Sequence, residues 1–150
     1  MEKGRSQSMD KSALLQQLYL RECQTKELVD IPHIPSGLVN LPEYQRWLDT
    51  KRNIEIEDVE NTHWIKTCTG GYITELVFHS DGTLEEFRLF DRFETTGQWR
   101  LDDGVLLVEI QKGSNKYNLA VIGNSEINIH SAVELKNDEL HSYLKLAQIK

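Results

Sequence analysis

Along Glu94–Ile110 the side chains alternate with a period of two. Thr95, Gly97, Trp99 and Leu101 fall on one face, and Glu94, Thr96, Gln98 and Arg100 on the other. Beyond Asp102-Asp103-Gly104, Leu106, Val108 and Ile110 continue the apolar face. An Asp-Gly pair between two such runs predicts a hairpin, because glycine accepts the positive φ of a tight turn. The unit repeats in looser form. Turn signals stand at Thr69-Gly70-Gly71, Ser80-Asp81-Gly82, Asp91-Arg92, Gly113-Ser114-Asn115, Gly123-Asn124-Ser125 and Lys136-Asn137-Asp138. Their spacing of about 10 to 13 residues leaves no room for crossover helices and predicts antiparallel neighbours. Eight strands follow, over residues 63–68, 72–79, 83–90, 93–101, 104–112, 116–122, 126–135 and 139–149. The last segment also fits a helix capped by Asn137 or Asp138; we read it as a strand, because an eighth strand closes the sheet and removes its edges.

The first third has a different period. Leu14, Leu15, Leu18 and Tyr19 recur at helical spacing and predict a helix over 12–23, capped by Asp10 or Ser12. Val29–Gly37 holds two prolines and a glycine and reads as an extended linker, with His33 on its surface. Asn40-Leu41-Pro42-Glu43 predicts a helix start, with Asn40 as cap and Glu43 in the capping-box position. Tyr44, Trp47 and Leu48 share a face of that helix, which ends near Lys51; Trp47 reads as a packing anchor. Ile54–Val59 alternates but is acid-rich, and stays open between short strand and coil. On the sheet, Ile73, Val77, Leu84, Phe90, Val105 and Leu107 form a second, outward apolar patch that the two helices would cover. The fold class is therefore mainly β, an eight-stranded antiparallel up-and-down barrel preceded by two N-terminal helices. We read residues 1–150 as a single domain: a disordered lead over 1–8, a helical cover over 9–62 and a barrel over 63–150.

Trp64, the Phe78-His79-Ser80-Asp81-Gly82-Thr83 turn, Gly97-Gln98-Trp99 and the Asp103–Val108 hairpin together resemble small bacterial lipocalin-like (calycin-type) barrels. The resemblance covers residues 63–149. It implies a closed or half-open barrel that holds a small apolar ligand, and it carries over no binding residue. Lipocalins place their Gly-x-Trp on the first strand; here it falls on the fourth, and the helical third has no counterpart.

Charge and composition narrow the function. The chain has 150 residues and a formal net charge of −7. Lys and Arg are scattered, so the basic stripe of a nucleic-acid binder is missing. No apolar run reaches the roughly 18 residues of a membrane span, and the first residues lack a signal-peptide core. The expected location is cytoplasmic, with Cys23 and Cys68 reduced and mostly buried.

The sequence contains no phosphate-loop, dinucleotide, nucleophile-elbow or zinc-protease motif. Neither a cofactor nor a metal site is expected. Of the five histidines only His63 and His79 would approach each other, across the Gly70-Gly71 turn. Glu85 shares a face with Phe87; if that face is interior, it is a carboxylate at the barrel mouth or one seeking a donor. Trp64, Tyr72, Trp99 and Tyr117 would line the same space, or simply pack the core. Gly97 beside Trp99 leaves a gap that neighbours fill or that opens a ligand cavity. The candidate ligand-binding set is Trp64, Tyr72, Glu85, Phe87, Trp99 and Tyr117. Three functions compete: a non-enzymatic barrel for a small hydrophobic ligand, our first reading; an acidic inhibitor or immunity-type module; and an enzyme, for which no constellation speaks. The module would present Glu55, Glu57, Asp58 and Glu60 to a basic partner. A homodimer is the remaining partner expectation.

Overall fold

The computed structural model describes residues 10–25, 27–68, 73–88 and 94–149. Its strands are β1 (Lys51–Arg52), β2 (Thr62–Cys68), β3 (Ile73–Phe78), β4 (Thr83–Arg88), β5 (Glu94–Asp102), β6 (Val105–Lys112), β7 (Asn115–Asn124), β8 (Ile129–Lys136) and β9 (Glu139–Gln148). From β2 to β9 each strand is antiparallel to the next, and β9 pairs back onto β2. The sheet is thus a closed eight-stranded antiparallel meander barrel, and 139–148 is its closing strand. Turn chemistry sets the register. Asp103 and Gly104 (φ 53° and 77°) and Asn137 and Asp138 (φ 51° and 69°) hold positive φ at both central positions, as two-residue hairpins of the right twist require. The turns expected at Thr69–Gly71 and Asp91-Arg92 lie outside the described residues. The turn expected at Gly123 is instead the end of β7. A Cβ there would stand 2.8 Å from the Arg52 carbonyl oxygen, so the glycine lets β1 pair closely against it.

Paired residues in an antiparallel ladder share a face, so Trp64, Leu76, Leu84, Val108, Ile110 and Leu119 all point into the barrel. This corrects the reading of β4. Leu84 and Glu86 are buried inside, while Glu85 and Phe87 point outward and are half-buried.

α1 (Lys11–Leu20) is capped by Asp10, whose side chain accepts the Ala13 N–H at 3.1 Å. Its Leu14 and Leu18 pack on Val105, Ile122, Val133 and Tyr143, with Leu107 beside them. The helix therefore covers Val105 and Leu107 as expected. Ile73 remains 39 % exposed, and Phe90 lies outside the described residues. A π-helical turn follows over Arg21–Thr25. It aims Glu22 at the barrel wall, where the carboxylate accepts from Trp47 Nε1 (3.0 Å), Tyr143 Oη (2.6 Å) and Ser131 Oγ, with Lys51 Nζ at 3.4 Å. Burial would raise the Glu22 pKa; the two hydroxyls, Lys51 and the indole outweigh it and hold it below the ordinary value.

α2 (Pro42–Leu48) starts one residue later than its expected cap. Leu41 is the N-cap, without a side-chain hydrogen bond, because Leu38–Asn40 is a 3-10 turn that engages Asn40. It ends at Leu48, since Lys51 and Arg52 are drawn off to pair with β7. Tyr44 and Trp47 pack on Tyr19 at 5.3 and 5.6 Å between ring centroids. The linker is not fully extended: Ile31–His33 is a 3-10 turn capped by Asp30. The open segment resolves into α3 (Ile56–Val59), whose N-terminus is held by a Glu55–Asp58 capping box. Ile54 and Val59, both buried, join the barrel core from below.

Candidate functional site

The barrel has two unlike ends. At the α3 end, Trp64 is fully buried and its Nε1 donates to Thr62 Oγ1 (3.1 Å) and to the Asp58 carbonyl (3.3 Å). Its ring meets Phe78 at 5.7 Å and His130 at 5.2 Å. Trp99 packs edge-on to Phe78, with Nε1 donating to the His79 carbonyl at 2.8 Å. His130, also fully buried, accepts the Asn124 N–H at Nδ1 and faces Gln148 Oε1 at Nε2. Burial lowers its pKa, so it sits neutral in this core. Gly97 leaves no gap here. A Cβ on it would lie 2.3 Å from the Glu109 carbonyl oxygen, because β6 crosses β5 closely at that point. This end is sealed by its own side chains.

At the opposite end the inward positions turn polar. Glu86 on β4 is 1 % exposed. Its carboxylate takes Lys66 Nζ from β2 at 2.7 Å, Lys112 Nζ from β6 at 3.1 Å, Thr74 Oγ1 at 2.8 Å and Thr95 Oγ1 at 3.2 Å. Burial alone would raise its pKa; Lys66 first, then Lys112 and Thr74, outweigh it and hold it at about 2. Lys112 also lies 5.4 Å from the Tyr117 ring centroid on β7, and Lys136 on β8 approaches the same ring at 5.9 Å. The far side carries Glu134, which is buried, and His141. The ladder shifts register at Glu134/Leu135, which leaves His141 as the extra residue between Leu140 and Ser142. Its ring reaches Glu134 Oε1 at 2.9 Å and stands edge-on to Tyr117 at 6.0 Å.

Among the described residues, three ammonium groups, on Lys66, Lys112 and Lys136, thus share this end with two buried carboxylates, Glu86 and Glu134, an excess of one positive charge. Ser142 Oγ and Glu134 both meet His141 at Nδ1. A hydroxyl–imidazole–carboxylate relay needs the two ring nitrogens separately, so the trio is not built as one. Among the described residues no three His, Cys, Asp or Glu side chains converge on a metal position, and no helix is long and apolar enough to cross a membrane.

The expected ligand set is not brought together. Trp64 and Trp99 lie at the sealed end and Tyr117 at the polar end. Glu85 and Phe87 face outward, with Glu85 on His79 at 2.9 Å, and Tyr72 lies outside the described residues. His63 pairs with Glu75 at 2.7 Å rather than with His79. Cys23, expected to be buried, is exposed on the π turn, and the side chain of Cys68 lies outside the described residues. The residues that sequence reasoning missed are Lys66, Glu86, Lys112, Glu134, Lys136 and His141. One signal was available for Glu86: it keeps the period-two face of Leu84, and that leucine is the better marker of the interior. Compared with protein-family models, curated proteins and solved structures, the chain matches none.

Proposed function

We propose that this chain is a non-enzymatic binding barrel that takes a small organic anion at its polar end. A carboxylate would sit between Lys112 and Lys136, and its apolar or aromatic body would lie on the Tyr117 ring. The observation that carries this reading is Glu86, a fully buried carboxylate that neutralises only part of the positive charge around it. A purely structural barrel does better with an apolar residue there, because burying ions costs about as much as their attraction returns. The apolar half is already filled, which argues for a small ligand above Glu86 rather than a long one threaded through the core. A lysine-rich interior in a chain of net charge −7 also focuses anions locally. The test is titration with hydrocinnamate and its neutral counterpart phenethyl alcohol, followed by thermal shift and tryptophan fluorescence. Hydrocinnamate should bind and Lys112→Met should weaken it about tenfold, the worth of one charge-assisted contact. If neither compound binds, the reading fails.

A second reading rests on α3. Glu55, Glu57 and Glu60 are exposed around Ile56, which is 44 % exposed. This acidic, apolar-tipped surface suits a basic protein partner, or a second copy that presents lysines. Asp58 is less available, being held by Arg52 at 2.8 Å. Concentration-dependent light scattering, with and without a Glu57→Lys substitution, separates the two readings.

A further inference from the structure

The outer wall of the barrel carries a cavity, on the other face of the sheet from the inward side chains of the polar end. α1 and the Asp30–Ile31 turn stand over β5–β8 and leave a groove of about 390 Å³. Its floor is apolar, with Leu107, Ala120, Val133 and Leu135 from the sheet, and Ile31, 51 % exposed, forms a lip. Its rim is acidic. Asp10, Asp30, Glu109 and Asp138 line it; among the described lining residues Arg100 is the one cation, and Asp138 is paired with Lys116 at 3.7 Å. Arg100 is itself drawn toward Asp102 at 3.8 Å.

Gln17 supplies a separate observation. It lines the groove yet is only 5 % exposed. Its Nε2 donates to the Val29 carbonyl at 2.9 Å, which fixes the orientation of the amide. The other amide atom, Oε1, has no hydrogen-bond partner among the described residues. A buried acceptor of this kind wants a donor. The groove therefore combines an apolar floor, a lining acceptor without a partner among the described residues, and a rim richer in carboxylates than in cations.

We infer that this groove binds a small protonated amine carried on an apolar body. An ammonium group has three donors and no acceptor, so it can meet Gln17 Oε1 and the rim carboxylates together. An alcohol of the same body would fill the floor but gain little from the charge. A carboxylate would face like charge. The volume lies within the roughly 300–1,000 Å³ of small-molecule sites.

The experiment uses the full chain and three probes with one aromatic body: phenethylamine, phenethyl alcohol and hydrocinnamate. Calorimetry gives affinities, and amide chemical shifts give the place of binding. Phenethylamine should bind about tenfold tighter than the alcohol, weaken with added salt, and shift the amides of Leu107, Ala120 and Val133. The double variant Asp30→Asn/Glu109→Gln should lose about tenfold in amine affinity. Asparagine keeps the cap of the 3-10 turn, so the fold is retained. Lys112→Met should leave the amine unaffected, whatever it does to hydrocinnamate. The inference is overturned if the amine does not bind, if the alcohol binds equally well, if the shifts map elsewhere, or if the double variant binds the amine unchanged. Failure of hydrocinnamate alone would strike only the polar-end reading.

Discussion

At the sealed end, Trp64, Phe78 and Trp99 fill the barrel with rings, and each indole N–H donates to an oxygen close by. At the polar end, Glu86, Lys66 and Lys112 occupy equivalent inward positions with charge. The first solution stabilises through apolar area, worth about 1.5–3 kcal/mol per large side chain. The second sets a large desolvation cost against a similar Coulombic gain, so its net contribution is small although breaking it is costly. One barrel thus has an end that explains stability and an end that stability alone does not explain. The charged end is where a ligand is to be sought.

The comparison can be broken from either side. The largest expected effect is at the sealed end. Trp64→Ala should destabilise by about 3–5 kcal/mol in denaturant unfolding, since it empties a fully buried layer; a cost below about 1 kcal/mol would mean that this end is not packed as described. Next comes Glu86→Gln, which strands two ammonium groups and should cost about 3 kcal/mol at neutral pH. The double variant Glu86→Leu/Lys66→Met should recover part of that loss. The acid limb follows from the same carboxylate. Its pKa falls from 4.5 to about 2 on folding, so the unfolded chain binds the extra proton between those values. Stability from Glu86 is therefore complete above about pH 4.5 and is lost as pH falls toward 2. In the double variant this segment of the pH profile should flatten. The smallest effect is Lys112→Met, at about 1 kcal/mol or less, because its side chain is 37 % exposed and the ammonium is partly solvated. If that variant nevertheless loses hydrocinnamate, the two ends differ in purpose as well as in composition.

Much of the barrel was legible because turn residues and a period of two are local signals. The Asp-Gly turn at Asp103-Gly104 and the alternation through Trp99 and Val108 both encode geometry within a few residues. The helical cover was legible for the same reason, from Leu14 and Leu18. What escaped the sequence depends on contacts between distant segments. Asn40 carries a good cap side chain, yet a 3-10 turn takes it first. Gly123 resembles a turn glycine, yet it serves the approach of β1. Glu85 and Glu86 are chemically identical neighbours; the face of Leu84 is the one local hint, and the register of β4 against β3 and β5 fixes which one is buried. The polar end draws on every strand from β2 to β9, so no local window contains it. Among the described residues of the expected ligand set, Tyr117 is the one that falls there.

The pairing of β9 with β2 has a consequence in time rather than in space. Gln148 lies against Trp64 and Leu144 against Cys68, so the contact that shuts the barrel joins strands about half the chain apart. Loop closure of that length must come before its contacts can stabilise anything. During synthesis the hairpins from β3 to β8 can form as they emerge, but Trp64 cannot be enclosed until β9 has left the ribosome. In that interval β2 presents an unpaired edge, the very hazard that the finished barrel lacks.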